Sequence, residues 1–151
     1  MKGNLSEALQ AWLSGALGSP PIARFLGMRL LRCADGSSVM EMDAGPAHHN
    51  PMGVVHGGIL CDLADAAMGT AVASTLHEQE TFATLDLTAH FLAPVLEGRL
   101  VAEAKVVRRG RTTAYVECEV KGDAGKLIAK VCSTCLIRPA DPRPSADPTS
   151  S

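Results

Sequence analysis

The chain has 151 residues, of which 46% are hydrophobic and 20% charged, with a formal net charge of −2. These proportions fit one globular domain that buries about two-thirds of its unfolded surface, and they exclude wholesale disorder. The weak negative charge excludes a general nucleic-acid face, and no apolar run reaches the roughly 18 residues of a membrane span.

Residues 4 to 17 place Leu5, Leu9, Trp12, Leu13 and Ala16 at helical spacing, with Asn4 and Glu7 in the pattern of a capping box. Glu7 and Gln10 interrupt any signal-peptide core, so the expected location is cytoplasmic. Gly18, Pro20 and Pro21 end this helix, and "PIARFLG" predicts one further turn. "MRLLRCADGSSVMEMDA" reads as two strands joined at Asp35-Gly36, and residues 45 to 57 as a loop. From Gly58 to about His77 the composition predicts a helix about 28 Å long. It is apolar on nearly every side and must be wrapped by other structure. "TFATLDLTAHFLAPV" predicts one strand, alternating Leu85, Leu87, Ala89 and Phe91 against polar neighbours. "GRLVAEAKVVRRG", "RTTAYVECEV" and "KLIAKVCSTCLIR" predict three more, the last entered through a "KGDAGK" hairpin. One long helix against five or six antiparallel strands is an α+β fold. The tail "PADPRPSADPTSS" has the composition of a disordered segment.

Five cysteines without a secretion signal read as reduced thiols. Cys132 and Cys135 resemble a metal or redox pair, but three residues apart on a strand they face opposite sides. Adjacent His48 and His49 diverge and have no spaced partners, so no metal is expected.

The stretch "NPMGVVHGGILCDLADAAMG" carries the strongest chemical signal. On a plain reading, Asp62 and Asp65 form the solvated stripe of the helix, the glycines allow close packing, and His56 is a loop histidine. Yet the helix has no other charged side chain between residues 58 and 76. Gly57 and Gly58 fall at a helix N-terminus, where free N–H groups can stabilise a carbonyl oxygen gaining negative charge. A carboxylate two turns further in is partly desolvated, which makes it a stronger base. Together these groups outline an acyl-transfer site.

The run Asn50-Pro51-x-Gly53-x-x-His56-Gly57-Gly58, the acid nine residues after His56, and "TLDLTAHFLAP" resemble the hotdog-fold acyl-CoA thioesterases. The similarity is to the phenylacetate-pathway branch and the helix-acid 4-hydroxybenzoyl-CoA branch. It spans residues 25 to 138, leaving a helical segment at 1–24 and the tail at 139–151. The resemblance implies a long central helix wrapped by a five- to six-stranded antiparallel sheet, no cofactor, and a homodimer assembling to a homotetramer. It implies hydrolysis of an aryl- or fatty acyl-CoA, with Asp65 as general base or nucleophile. Gly57 would polarise the carbonyl through its N–H, His56 and Asn50 would orient thioester or water, and Gly58 would line the substrate. Asp65 would face the loop of a partner subunit. Asp62, expected in the first helical turn, would stabilise the helix N-terminus. The family often has Ser or Thr four residues after the acid, where this chain has Gly69; Thr70 follows about 100° further round.

CoA phosphates need a basic patch, and Arg108, Arg109 and Arg111 supply one unless they are only a charged hairpin turn in water. His90 is a further candidate near the acyl group. Two rivals remain: a non-catalytic acyl-CoA-binding hotdog protein, and a hotdog hydratase/dehydratase, against which "HGG" argues.

Overall fold

The computed structural model describes residues 5–140. In chain order the elements are α1 (Leu5–Leu13), α2 (Pro21–Leu26), β1 (Arg29–Ala34), β2 (Ser37–Ala44), α3 (Gly57–Ala73), β3 (Glu80–Thr84), β4 (Thr88–Phe91), β5 (Gly98–Arg109), β6 (Thr113–Lys121) and β7 (Leu127–Pro139). The expected capping box at Asn4 and nearly all of the expected tail lie outside the described residues.

All pairings within the sheet are antiparallel, in the order β1-β2-β5-β6-β7-β3, with β4 also paired to β7. Asp35 (φ 49°) and Gly36 (φ 75°) turn β1 into β2 with two left-handed residues, the geometry that an Asp-Gly hairpin supplies. Bulges between Val106 and Arg108 and between Val120 and Lys121 interrupt the registers within the long strands. In the core, Leu60, Leu63, Ala64, Ala67, Met68, Ala71 and Val72 of α3 lie among Met40, Met42, Leu100, Val116, Val120 and Val131 of the sheet. Alanines on that helical face let the backbone approach the strands closely.

Three expectations need correction. The sheet has seven strands, not five or six, because the segment after α3 is split. At the split Asp86 takes over the ladder: its carboxylate accepts from Thr134 N–H (2.8 Å) and its carbonyl from the Ser133 hydroxyl (2.8 Å). The helix ends at Ala73 rather than near His77, since the Ser74 and Thr75 hydroxyls bond back to the carbonyls of Ala71 and Val72. It also begins at Gly57, which puts Asp62 in the second turn rather than the first.

The sheet covers only one side of α3. On its other side Asp62 and Asp65 remain in contact with solvent, while α1 packs where Leu9, Cys33 and Ala73 meet.

Candidate active site

The loop before α3 is built around Asn50. Its side-chain oxygen accepts from Met52 N–H at 2.9 Å and Val54 N–H at 3.4 Å, and its own N–H donates to the Val54 carbonyl. Gly53 supplies the left-handed residue (φ 76°) that closes this turn. His56 then caps the helix: Nδ1 accepts from Gly58 N–H at 2.8 Å. That bond requires a lone pair on Nδ1, which leaves Nε2 to carry the proton of the neutral ring. It also consumes the Gly58 donor. Gly57 N–H, by contrast, has no acceptor among the described residues. A Cβ on Gly57 would lie 2.8 Å from Cζ of Phe91, so the aromatic ring sits directly against this backbone. Asn50, His56, Gly57 and Gly58 share one surface recess of about 560 Å³ with Phe91 and Leu92.

Asp65 is not in that recess. It lies eight residues along the helix, about 12 Å from Gly57, and lines a second, larger cavity of about 720 Å³. Water still reaches its side chain, yet burial is the main force raising its pKa above the ordinary carboxylate value. The negative charge of Asp62 raises it further, and the Thr84 hydroxyl beside it pulls the other way. Gly69 and Thr70 line the same cavity. The Thr70 hydroxyl is already committed to the carbonyls of Ala66 and Ala67 and to Ser38 Oγ at 2.7 Å. The hydroxyl that acts on the acid comes from Thr84 of β3. Sequence reasoning missed Thr84 because a polar residue in an alternating strand looks like ordinary solvent-facing filler.

The basic cluster divides. Arg108 and Arg111 are exposed, whereas Arg109 is paired to Glu80 at 2.6 Å and also donates to the Gly110 carbonyl. His90 is exposed on β4, opposite Lys130, and lines neither cavity described above. His48 Nδ1 accepts from Gly45 N–H, and His49 Nε2 donates to the Leu96 carbonyl, so both rings serve the loop. Burial raises the thiol pKa of Cys33, Cys61 and Cys135, and takes Cys118 to about 12, so these four are protonated at neutral pH.

Residues 52–129 match the family model described as Thioesterase superfamily. The chain is 26% identical over 130 residues to human acyl-coenzyme A thioesterase 13, covering 84% of this chain and 92% of that protein. It is 26% identical over 112 residues to the 1,4-dihydroxy-2-naphthoyl-CoA hydrolase of Listeria monocytogenes, covering 74% and 89%. Among solved structures, a phenylacetic acid degradation-related protein from Ralstonia eutropha JMP134 superposes with a TM-score of 0.77 at 34% identity, covering 85% and 98%.

Proposed function

Because the chain belongs to the thioesterase superfamily, we propose that it hydrolyses an acyl-CoA thioester to a free acid and CoA. Ionised Asp65 takes a proton from a water held by the Thr84 hydroxyl, and that water attacks the thioester carbonyl. Negative charge on the carbonyl oxygen is met by Gly57 N–H at the positive end of α3. When the tetrahedral intermediate collapses, the carbon–sulfur bond breaks and CoA leaves as a thiolate, which takes up a proton. His56 and Asn50 hold the loop that aims the donor, and the exposed Arg108 and Arg111 meet the CoA phosphates.

The observation that carries this reading is the separation of the two catalytic halves. Donor and acid about 12 Å apart on one rigid helix cannot serve one carbonyl. A second copy of the chain resolves this, bringing its Gly57 recess to the Asp65 of the first. The surface supports such pairing. β4 sits at a sheet edge, and Met52, Leu85, Phe91, Leu92 and Leu96 are apolar side chains left exposed on or near the two segments beside it. The assembly is a homodimer, and light scattering of the intact chain reads whether it doubles again to a tetramer.

Release of free CoA thiol from aryl, short, medium and long acyl-CoAs tests the activity. Asp65→Asn is expected to lose about a hundredfold or more of the turnover, the range of a general base. Binding of every acyl-CoA without turnover by the unmodified chain would overturn the proposal in favour of a binding protein.

A further inference from the structure

The cavity beside Asp65 has an origin that the family match does not cover. Its outer wall comes from α1, α2 and their linker, all of which precede residue 52. Leu9, Trp12, Leu17 and Ile22 face it from that segment, and Phe82 faces it from β3. Of the described residues lining it, only Asp65 and Arg24 are charged, and the Arg24 guanidinium is turned to the Ser19 carbonyl at 2.6 Å.

The wall is held in place. Trp12 Nε1 donates to Ser19 Oγ at 3.2 Å, which satisfies the polar edge of the indole and ties the helix to the linker. Leu9 is buried against Cys33 and Ala73, anchoring α1 to the body of the fold. An apolar space of about 720 Å³ is far larger than the voids a packed protein keeps for itself, and it falls within the range of small-molecule pockets. At Gly69 the helix presents no side chain: a Cβ there would already touch the Phe82 ring at 3.4 Å, so the glycine keeps the chamber open beside the acid.

We infer that α1 and α2 form the acyl-binding wall, and that the chamber takes an uncharged aliphatic acyl group of medium length, with its thioester at Asp65. The inference rests on the thioesterase reading above. An acetyl group would leave the apolar walls wet. A chain ending in a second carboxylate would bury a charge that Arg24, turned to Ser19, does not meet.

The test measures kcat/KM for acetyl-, hexanoyl-, decanoyl- and adipoyl-CoA on the full chain. Three variants accompany the unmodified protein: Ala8→Phe, Trp12→Ala and Asp65→Asn. In the unmodified chain kcat/KM is expected to rise about fourfold per added methylene until the chamber is full. Adipoyl-CoA is expected to fall at least a hundredfold below hexanoyl-CoA. Ala8 lines the chamber from α1, so Ala8→Phe fills space without leaving a hole. It is expected to lower the decanoyl-to-acetyl ratio at least tenfold, with an unchanged circular dichroism spectrum. Trp12→Ala is expected to move the optimum to longer chains. If chain length has no effect, or if folded Ala8→Phe keeps the unmodified profile, the acyl-wall inference is overturned. Asp65→Asn would still collapse in that case, and the thioesterase reading would stand. No turnover of any thioester by the unmodified chain would overturn both.

Discussion

Replacing Gly57 with proline removes one hydrogen-bond donor and little else. Gly57 is the first residue of α3, where proline's fixed φ suits a helix and its missing N–H breaks no helical bond. His56 has ψ 135°, inside the extended range that a residue before proline adopts. A Cβ at this position lies 2.8 Å from Cζ, the far end of the Phe91 side chain, so that ring must shift slightly to admit the proline. Since His56 already occupies Gly58 N–H, Gly57 is the one donor of the pair left for the thioester oxygen. Loss of a single such donor costs about 3 to 4 kcal/mol of transition-state stabilisation, a hundred- to a thousandfold in kcat. Steady-state thiol release with Gly57→Pro is expected to fall by that factor, with the thermal transition close to that of the parent. Mixing Gly57→Pro with Asp65→Asn subunits takes the argument further. Random re-pairing makes half the dimers mixed, each with one intact composite site of two, so about a quarter of the sites regain full activity. A Gly57→Pro protein within tenfold of the parent would refute the oxyanion assignment. A mixture no better than its two components would refute the shared site.

The proposed hydrolysis requires ionised Asp65, so the rate is expected to fall as pH drops through its raised pKa. Asp62→Asn removes a charge that raises this pKa and should move the acid limb of the pH–kcat profile to lower pH. Thr84→Val removes the hydroxyl that lowers it and should move the limb to higher pH, with a smaller kcat on the plateau. A profile unmoved by either variant would mean that Asp65 does not control the limb. Leu63 is fully buried in the packing of α3 on the sheet, and Leu63→Ala should cost about 3 to 5 kcal/mol in urea denaturation.

The parts of the fold legible in the sequence are those set by local rules. The Asp35-Gly36 turn, the alanine-rich helix and the alternating strands each follow from the backbone preferences of a few neighbouring residues. The loop of Asn50, His56, Gly57 and Gly58 was legible too, since its turn and helix start are local. Features decided by distant partners were not. The break at Asp86 depends on hydrogen bonds to Ser133 and Thr134, 47 and 48 residues away. The pairing of Arg109 to Glu80 spans 29 residues, and it takes one member of a basic cluster that looked uniform. The chamber walls come from a helix that sequence pattern alone marked only as amphipathic.

The two carboxylates in the otherwise apolar helix have a physical logic that links the cap to the acid. The helix dipole holds anions only within about its first turn, where it would stabilise a carboxylate and make it a weaker base. In the proposed mechanism Gly57 uses that end of α3 to bind a transient oxyanion, for which the field is an advantage. Asp65 lies in the third turn, beyond the reach of the field. There, burial and Asp62 together raise its proton affinity. One helix can thus supply both an electrophilic end and a basic middle, but only by holding them about 12 Å apart. The same separation that gives each group its proper strength denies both of them to a single carbonyl. Under the proposed mechanism a second copy is therefore a chemical requirement of the site, and the quarter-activity expected from mixing Gly57→Pro with Asp65→Asn is its direct measure.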